Sequence, residues 1–107
     1  MFARVLDCQA RAGRSEQNST RWENDLLPIL QKQPGFVDFL SLSDTTDDER
    51  LVRFSFWISR EAAEEYHRQH YQTIANLLEL VLRSPPILQG FAVTASTAHR
   101  IVVSRAA

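Results

Sequence analysis

The sequence contains few of the residues on which disulfide scaffolds and metal-binding domains depend. It has a single cysteine, Cys8, and three histidines, His67, His70 and His99. One cysteine cannot form an internal disulfide, and these residues do not have the spacing of a zinc site. No internal repeat or low-complexity stretch is present either. We therefore expect no disulfide framework and no metal site in this chain.

An excess of charge of either sign is also absent. Twelve basic residues stand against 13 acidic ones, for a net charge of −1, and neither sign is gathered into a block. Nucleic acids and anionic lipids attract a concentrated basic patch, so we expect neither as a partner. A charge follows too soon after Met1 for a signal peptide, and no apolar run approaches the length that spans a membrane. The expectation is a cytoplasmic protein.

The sequence does contain enough apolar material for one core. Hydrophobic residues make up 44% of its 107 positions. This length is close to the commonest domain size, so we predict a single domain over residues 1–107. A chain of this size buries about 60 to 68% of its unfolded surface, which supports only modest stability. Burial against a second subunit would add to that stability, which makes a dimer attractive.

The spacing of apolar residues predicts the order of the elements. Alternation predicts strands over residues 2–9, 36–43, 50–58 and 87–96, with an extension at 101–103. Helical spacing predicts one helix from a cap at Ser15 to Pro34, kinked or restarted by Pro28, and helical sequence from a cap at Ser59 to Ser84. The order β-α-β-β-α-β predicts an α+β fold of the ferredoxin-like split βαβ type. Its four-stranded antiparallel sheet carries both helices on one face.

The third predicted strand determines what the other face of the sheet presents. One side of this strand carries Val52, Phe54, Phe56 and Ile58, and the other carries Leu51, Arg53, Ser55 and Trp57. If the helices cover the side of Trp57, the apolar row is left for a second copy of the chain. We therefore predict a homodimer formed through the sheet faces. The alternative is that the apolar row faces the helices and the side of Arg53 faces solvent.

Several short motifs carry a resemblance to a known family. They are Pro34-Gly35-Phe36, Trp57-Ile58-Ser59, Glu61-Ala62 and Pro86 before the last strand. Over residues 2–95 the sequence resembles the antibiotic biosynthesis monooxygenase family, most specifically in the W-x-S-x-E-A stretch at residues 57–62. The resemblance implies a dimeric α+β barrel with a pocket between the sheet and the helices. The family includes cofactor-free oxygenases of aromatic polyketides and quinols, haem-degrading enzymes, isomerases and proteins without an assigned reaction, so fold alone does not choose among them.

Functional residues of two branches of this family can be placed on the sequence by counting from the W-x-S motif. The polyketide oxygenase branch uses an Asn, a Trp and a Tyr, which fall on Arg53, Trp57 and Ala63, so only the Trp is kept. The haem-degrading branch uses an Asn, a Trp and a His, which fall near Asp7, on Tyr66 and on Asn76. None of these three is kept, and haem degradation is therefore disfavoured.

The residues that remain form a candidate site. Ala63, Tyr66 and His70 have the spacing of one stripe along a continuous helix. Histidine titrates near neutrality and suits a general base toward a phenol, and Tyr66 could hydrogen-bond the developing oxyanion. Trp57 would stack on an aromatic substrate, and Arg53 would stabilise an anion or bind a carboxylate. The predicted catalytic residues are Trp57, Tyr66 and His70, and the predicted substrate-binding residues are Arg53, Ala63 and Asp7.

These residues suffice for one kind of chemistry. A deprotonated hydroquinone or anthrone can pass an electron to O2 without a metal or flavin, so the sequence favours a monooxygenase that needs no cofactor and acts on a phenolic, quinol or anthrone-type molecule. A small-molecule-binding or regulatory dimer without catalysis is the alternative, and an isomerase is a third. The same residues also have purely structural interpretations. Trp57 would be core, the histidines exposed, and Arg53 paired with Asp7 on a neighbouring strand.

Overall fold

The computed structural model describes residues 1–101. The chain forms β1 (Phe2–Gln9), α1 (Ser15–Arg21), a π-helical turn (Trp22–Leu26), α2 (Leu27–Gln31), β2 (Phe36–Ser43), β3 (Arg50–Trp57), α3 (Arg60–Leu78) and β4 (Ile87–Ala92). The strands form one antiparallel sheet in the order β2-β3-β1-β4. The predicted ferredoxin-like α+β fold is therefore confirmed. Within residues 1–101, no helix is both long and apolar enough to cross a membrane.

The first helical region begins and restarts for local reasons. Ser15 is its first helical residue and not its cap, because the carbonyl of Arg14 already accepts the amide of Asn18 at 2.9 Å and no side chain caps this end. Pro28 has no amide hydrogen to donate to the preceding turn. The helix accordingly widens into the π-helical turn, and α2 restarts with Pro28 in its first turn.

The second helical region is a single helix with the predicted start. The hydroxyl of Ser59 accepts the amide of Ala62 at 3.1 Å, which confirms Ser59 as the cap. The helix ends at Leu78, before the predicted limit at Ser84. Val81 and Leu82 are still buried, and Leu82 forms a bridge with Ala10. Apolar spacing therefore continued past the end of the helix because the following turn also packs into the core.

The last strand is shorter than predicted, since β4 ends at Ala92 and not at residue 96. One further hydrogen bond joins the amide of Val93 to the carbonyl of Met1 at 3.0 Å. Beyond it the chain returns toward β2, where Nε2 of His99 lies 3.0 Å from Oδ2 of Asp38. The predicted extension at 101–103 is not a strand at Ile101, and residues 102–103 lie outside the described residues.

The helices cover the side of β3 that carries Trp57. On this side Leu51, Arg53, Ser55 and Trp57 are all buried, whereas Val52, Phe54 and Phe56 on the opposite side are half-buried. The apolar row therefore does not face the helices. Exposed residues of the flanking strands extend it, namely Leu40, Leu42, Ile87 and Phe91. We call these residues, together with Val52, Phe54 and Phe56, the open face.

Ile58 does not continue that row, because the chain leaves the strand there to enter α3. Its amide donates to the carbonyl of Gly35 at 2.8 Å. Gly35 has a φ of +80°, and a Cβ at this position would lie 2.6 Å from that of Ala62. Only glycine combines this backbone conformation with such close approach. The Pro-Gly turn thus holds the start of β2 against the start of α3.

Candidate active site

A cavity of about 30 Å³ lies between the covered side of the sheet and α3. This space admits one or two water molecules. Of the residues predicted for the site, Arg53, Trp57, Ala63 and Tyr66 line it. Sequence reasoning did not assign Arg4, Trp22, His67 and Tyr71 to the site, yet these also line it.

Trp57 is held at the floor of the cavity. The indole is fully buried, and its Nε1 donates to the hydroxyl of Ser55 at 2.9 Å. Its ring meets the edge of Phe36 at a centroid distance of 5.8 Å and lies 5.0 Å from the ring of Tyr66. With its only donor satisfied and its ring packed on two sides, Trp57 offers the cavity a rigid aromatic surface.

Arg53 carries a buried charge into the cavity. The residue is 1% exposed, and its Nε, Nη1 and Nη2 have no hydrogen-bond partner in the described part of the chain. Its guanidinium carbon lies 5.1 Å from the ring centre of Trp22, a cation–π distance. Burial lowers the pKa of Arg53 from its ordinary value. A guanidinium nevertheless stays protonated at physiological pH.

The structure does not bring Asp7 to Arg53. In the strand register Asp7 is opposite Val52, so its side chain lies on the other face of the sheet. There it forms a two-pronged ion pair with Arg50, at 3.1 Å from Nε to Oδ1 and 2.8 Å from Nη2 to Oδ2. Asp7 is therefore outside the cavity, and the pairing of Arg53 with Asp7 is not formed.

Helix α3 supplies a phenol and an imidazole to the cavity. Burial raises the pKa of the Tyr66 phenol above its ordinary value, so Tyr66 is a neutral hydrogen-bond donor at physiological pH. Burial, together with the charge of Arg4, lowers the pKa of His67. His67 is therefore neutral at pH 7 and able to accept a proton.

His70 lies behind Tyr66 and not in the cavity lining. Its ring stacks on that of Tyr66 with centroids 5.4 Å apart. The helical stripe that enters the cavity runs instead through Ala63, His67 and Ile74. Sequence reasoning could have found His67 by extending the core stripe at residues 74–82 backward by two helical turns.

The cavity is electropositive. Two arginines, Arg4 and Arg53, line it, and within residues 1–101 no aspartate or glutamate does. The thiol of Cys8, which is buried close to Arg53, has its pKa raised by burial and is therefore uncharged. The described residues also contain no group of three His, Cys, Asp or Glu side chains placed to hold a metal ion.

Comparison with known proteins identifies both a family and a fold. The family model described as antibiotic biosynthesis monooxygenase matches residues 1–76, which include all predicted site residues. SnoaB, a cofactor-independent oxygenase from Streptomyces nogalater, superimposes with a TM-score of 0.76 at 16% identity, over 92% of this chain and 97% of that one. A Nitrosomonas europaea protein that carries the same family name gives 0.74 at 16% identity, over 89% and 100%. No curated protein sequence matches the chain.

A third solved structure widens the range of similar proteins. A conserved protein from Methanosarcina mazei superimposes with a TM-score of 0.73 at 16% identity, over 84% of this chain and 89% of that one. Likeness at such low identity establishes a shared fold and leaves the reaction to be argued from the site.

Proposed function

Because the chain belongs to the antibiotic biosynthesis monooxygenase family, we propose that it is a cofactor-independent monooxygenase of a phenolic, quinol or anthrone-type molecule. The observation that carries the proposal is the cavity whose lining includes a rigid indole, a neutral phenol and a neutral imidazole. These groups can bind an aromatic ring, donate to an oxyanion and accept a proton. The chemistry requires nothing else from the protein.

In the proposed reaction, His67 removes the proton of a substrate hydroxyl. The resulting anion transfers one electron to O2, and the radical pair combines into a peroxide. The imidazolium of His67 returns its proton to the peroxide, and the C–H bond at the peroxide carbon breaks as water leaves, so one oxygen atom becomes a carbonyl of the product and the other becomes water. The substrate supplies all four electrons that O2 accepts. Tyr66 donates a hydrogen bond to the oxyanion, and Trp57 stacks on the ring. We place His67 in the role of base, because His70 does not line the cavity.

The dimensions of the cavity rank the substrates. About 30 Å³ is less than an aromatic ring occupies, so side chains must move when a substrate enters. The half-buried Tyr66, His67 and Tyr71 on α3 are placed to do so. A single-ring quinol demands the smallest movement, and an anthrone of three rings demands the largest. We therefore place single-ring quinols ahead of anthrones.

The proposal includes a homodimer of single-domain subunits that pair through the open face. Four large apolar residues of this face are about half exposed or more, with Ile87 at 62% and Phe91 at 50%. Apolar patches of this extent on a small domain commonly mark a protein interface. Pairing two copies through this face would also close the side of the sheet that the helices leave uncovered.

Oxygen uptake tests the reaction. Protein dialysed against a chelator is supplied with hydroquinones and anthrones, and the wild type is compared with His67→Ala and with His70→Ala as the matched control. We expect saturable uptake that falls about 100-fold or more in His67→Ala and stays within about threefold in His70→Ala. With labelled O2, one labelled atom should enter the product. Uptake equal to that of buffer alone would contradict the proposal.

A binding protein without catalysis is the second candidate. It is favoured by Arg53 and Ala63, which stand where the resemblance places an asparagine and a tyrosine of the oxygenase branch. If this chain binds quinols saturably in the cavity and consumes no oxygen with any of them, the result would favour a binding protein over the oxygenase.

A further inference from the structure

The cavity contains more buried hydrogen-bond donors than the proposed reaction uses. Nε, Nη1 and Nη2 of Arg53 and Nε1 of Trp22 are buried and have no partner in the described chain. Trp22 is 4% exposed, and its ring lies beneath the guanidinium. One helical turn earlier, the fully buried Asn18 also has both amide atoms without a partner. Arg53 of β3 and Trp22 of the first helical region line the cavity together with Tyr66 and His67 of α3, whereas Asn18 lies outside its lining.

Such groups are costly to bury unless something satisfies them. A polar group without a partner loses its hydration, and an unpaired charge loses much more. Proteins usually relieve the cost by placing a carboxylate beside the charge, and on the other face even the partly exposed Arg50 has Asp7 beside it. Arg53 has no such neighbour, because within residues 1–101 no acidic side chain lines the cavity.

The nearby acceptors of the protein do not fill this role. The hydroxyl of Ser55 already accepts the indole of Trp57. The buried thiol of Cys8 lies close enough to interact with Arg53, but sulfur is a weak acceptor and the raised pKa of the thiol keeps it neutral, so Cys8 does not balance the charge. Water in the cavity would hydrate the guanidinium without neutralising its charge, whereas an anionic group that arrives with a ligand would do both. A guanidinium presents parallel N–H donors that match the two oxygens of a carboxylate.

We propose that the ligand of this cavity is an aromatic carboxylic acid, whose carboxylate pairs with Arg53 while its hydroxylated ring lies against Trp57. This inference rests on the proposed function in taking the cavity as the substrate site and names the substrate class as hydroxylated aromatic acids. Nε1 of Trp22 is the additional donor for the carboxylate. Arg53 thereby selects the substrate, and the hydroxyl remains available to His67 and Tyr66 for oxidation.

The test is a binding measurement on the full chain with three kinds of probe. Gentisate supplies a quinol with a carboxylate, gentisamide is its neutral counterpart, and bicarbonate and chloride supply the charge without the ring. Calorimetry should show that gentisate binds and that gentisamide binds about 30-fold more weakly, since a charge-assisted hydrogen bond is lost. Equal affinity for gentisate and gentisamide would overturn the inference. An inorganic anion that occupies the site while gentisate does not bind would overturn it as well.

Variants locate the carboxylate. Arg53→Met should weaken the binding of gentisate about 30-fold and leave the binding of gentisamide unchanged. Arg53→Lys should recover part of the lost affinity, because lysine keeps the charge but not the paired N–H donors of the guanidinium. Arg68→Met, which removes an exposed arginine of α3, is the matched control and should bind like the wild type. If Arg53→Met does not fold, Arg53→Lys and the comparison of acid with amide in the wild type still decide the question. The inference is overturned if Arg53→Lys binds gentisate as tightly as the wild type does and the wild type binds gentisamide as tightly as gentisate.

Oxygen uptake separates this inference from the proposed function. If gentisate binds through Arg53 but is not oxidised, the carboxylate site stands and the oxygenase proposal fails. If hydroquinone is oxidised while gentisate neither binds nor reacts, the oxygenase proposal stands and the carboxylate site fails. If gentisate is oxidised with a lower KM than hydroquinone, and Arg53→Met removes that advantage, both are supported.

Discussion

The side chains of β3 that face the helices include the guanidinium of Arg53, whereas those that face away are Val52, Phe54, Phe56 and Arg50, and Arg50 is paired with Asp7. Burial alone would favour the reverse arrangement, with the charge outside and the rings inside. The covered face thus holds a cation without an anion, and the open face holds apolar surface without a cover. On each face, a single copy of the chain leaves one kind of group without its usual partner. The covered face points to a ligand, and the open face points to a partner.

Replacing an aromatic residue on each face measures how differently the two are packed. Trp57→Ala should lower the free energy of unfolding by about 3 to 5 kcal/mol, because it empties a fully buried site. Phe56→Ala, measured at a concentration where the subunits are separate, should lower the free energy of unfolding by about 1 kcal/mol, because the side chain of Phe56 is only half-buried in a single subunit. Urea denaturation followed by circular dichroism provides both values. Equal losses would show that the two faces are packed alike.

Removing the buried charge should stabilise the protein. We expect Arg53→Met to raise the free energy of unfolding by about 1 to 3 kcal/mol in the absence of ligand, because a charge without a counter-ion is replaced by an apolar side chain of similar length. Arg68→Met should change it by less than about 0.5 kcal/mol. Thermal and urea unfolding provide the comparison. A large loss of stability in Arg53→Met would mean that the stacking of Arg53 on Trp22 outweighs the cost of burial.

A charge on the open face should separate the subunits. Phe91→Glu should weaken self-association at least about tenfold, since a carboxylate would be buried against apolar surface. Leu80→Glu is the control, because Leu80 is 71% exposed and comes just after α3, the helix that packs on the covered face of the sheet. Sedimentation at a series of concentrations should show the 12.3 kDa single chain for Phe91→Glu over a wider range. A wild-type chain that sediments as a monomer throughout would contradict the dimer.

A change in the β2–β3 turn, which belongs to neither face, provides the baseline and the smallest effect. Hydrogen bonds from Thr46 and from Arg50 lower the pKa of Asp44 to about 2. A folded pKa below the unfolded value makes this contribution to stability complete above about pH 4. It is lost as the pH falls through about 2. Asp44→Asn should reduce the pH dependence of the free energy of unfolding over this range. An acid titration at a fixed urea concentration measures that dependence. An unchanged acid limb would mean that other carboxylates determine it.

Local signals predicted most of the fold. The limits of β1 and β2 and the cap at Ser59 agree with the structure, because alternation and capping depend on neighbouring residues. The end of α3 was placed too late. Val81 and Leu82 keep the apolar spacing of a helix, although the chain has already turned. The apolar spacing reflects burial in the core, and residues of a turn can be buried there as well as residues of a helix.

The candidate site was predicted less completely, for a different reason. Residues on a single element, such as Trp57 and Tyr66, were assigned to the region of the cavity that they occupy. Choosing between His67 and His70 requires the rotation of α3 relative to the sheet. Counting from Ala63 places both near the same stripe, and only His67 reaches the lining.

The sequence by itself determined the order of the elements and the two-sided pattern of β3, because the backbone periods of strand and helix are properties of the local chain. The tertiary structure decided which side the helices cover and which charges meet. Strand register carries Asp7 to the face of Arg50 and leaves Arg53 opposite Leu6, without an acidic partner among the described residues. Pairing across a sheet joins residues far apart in the chain, and no local pattern specifies it.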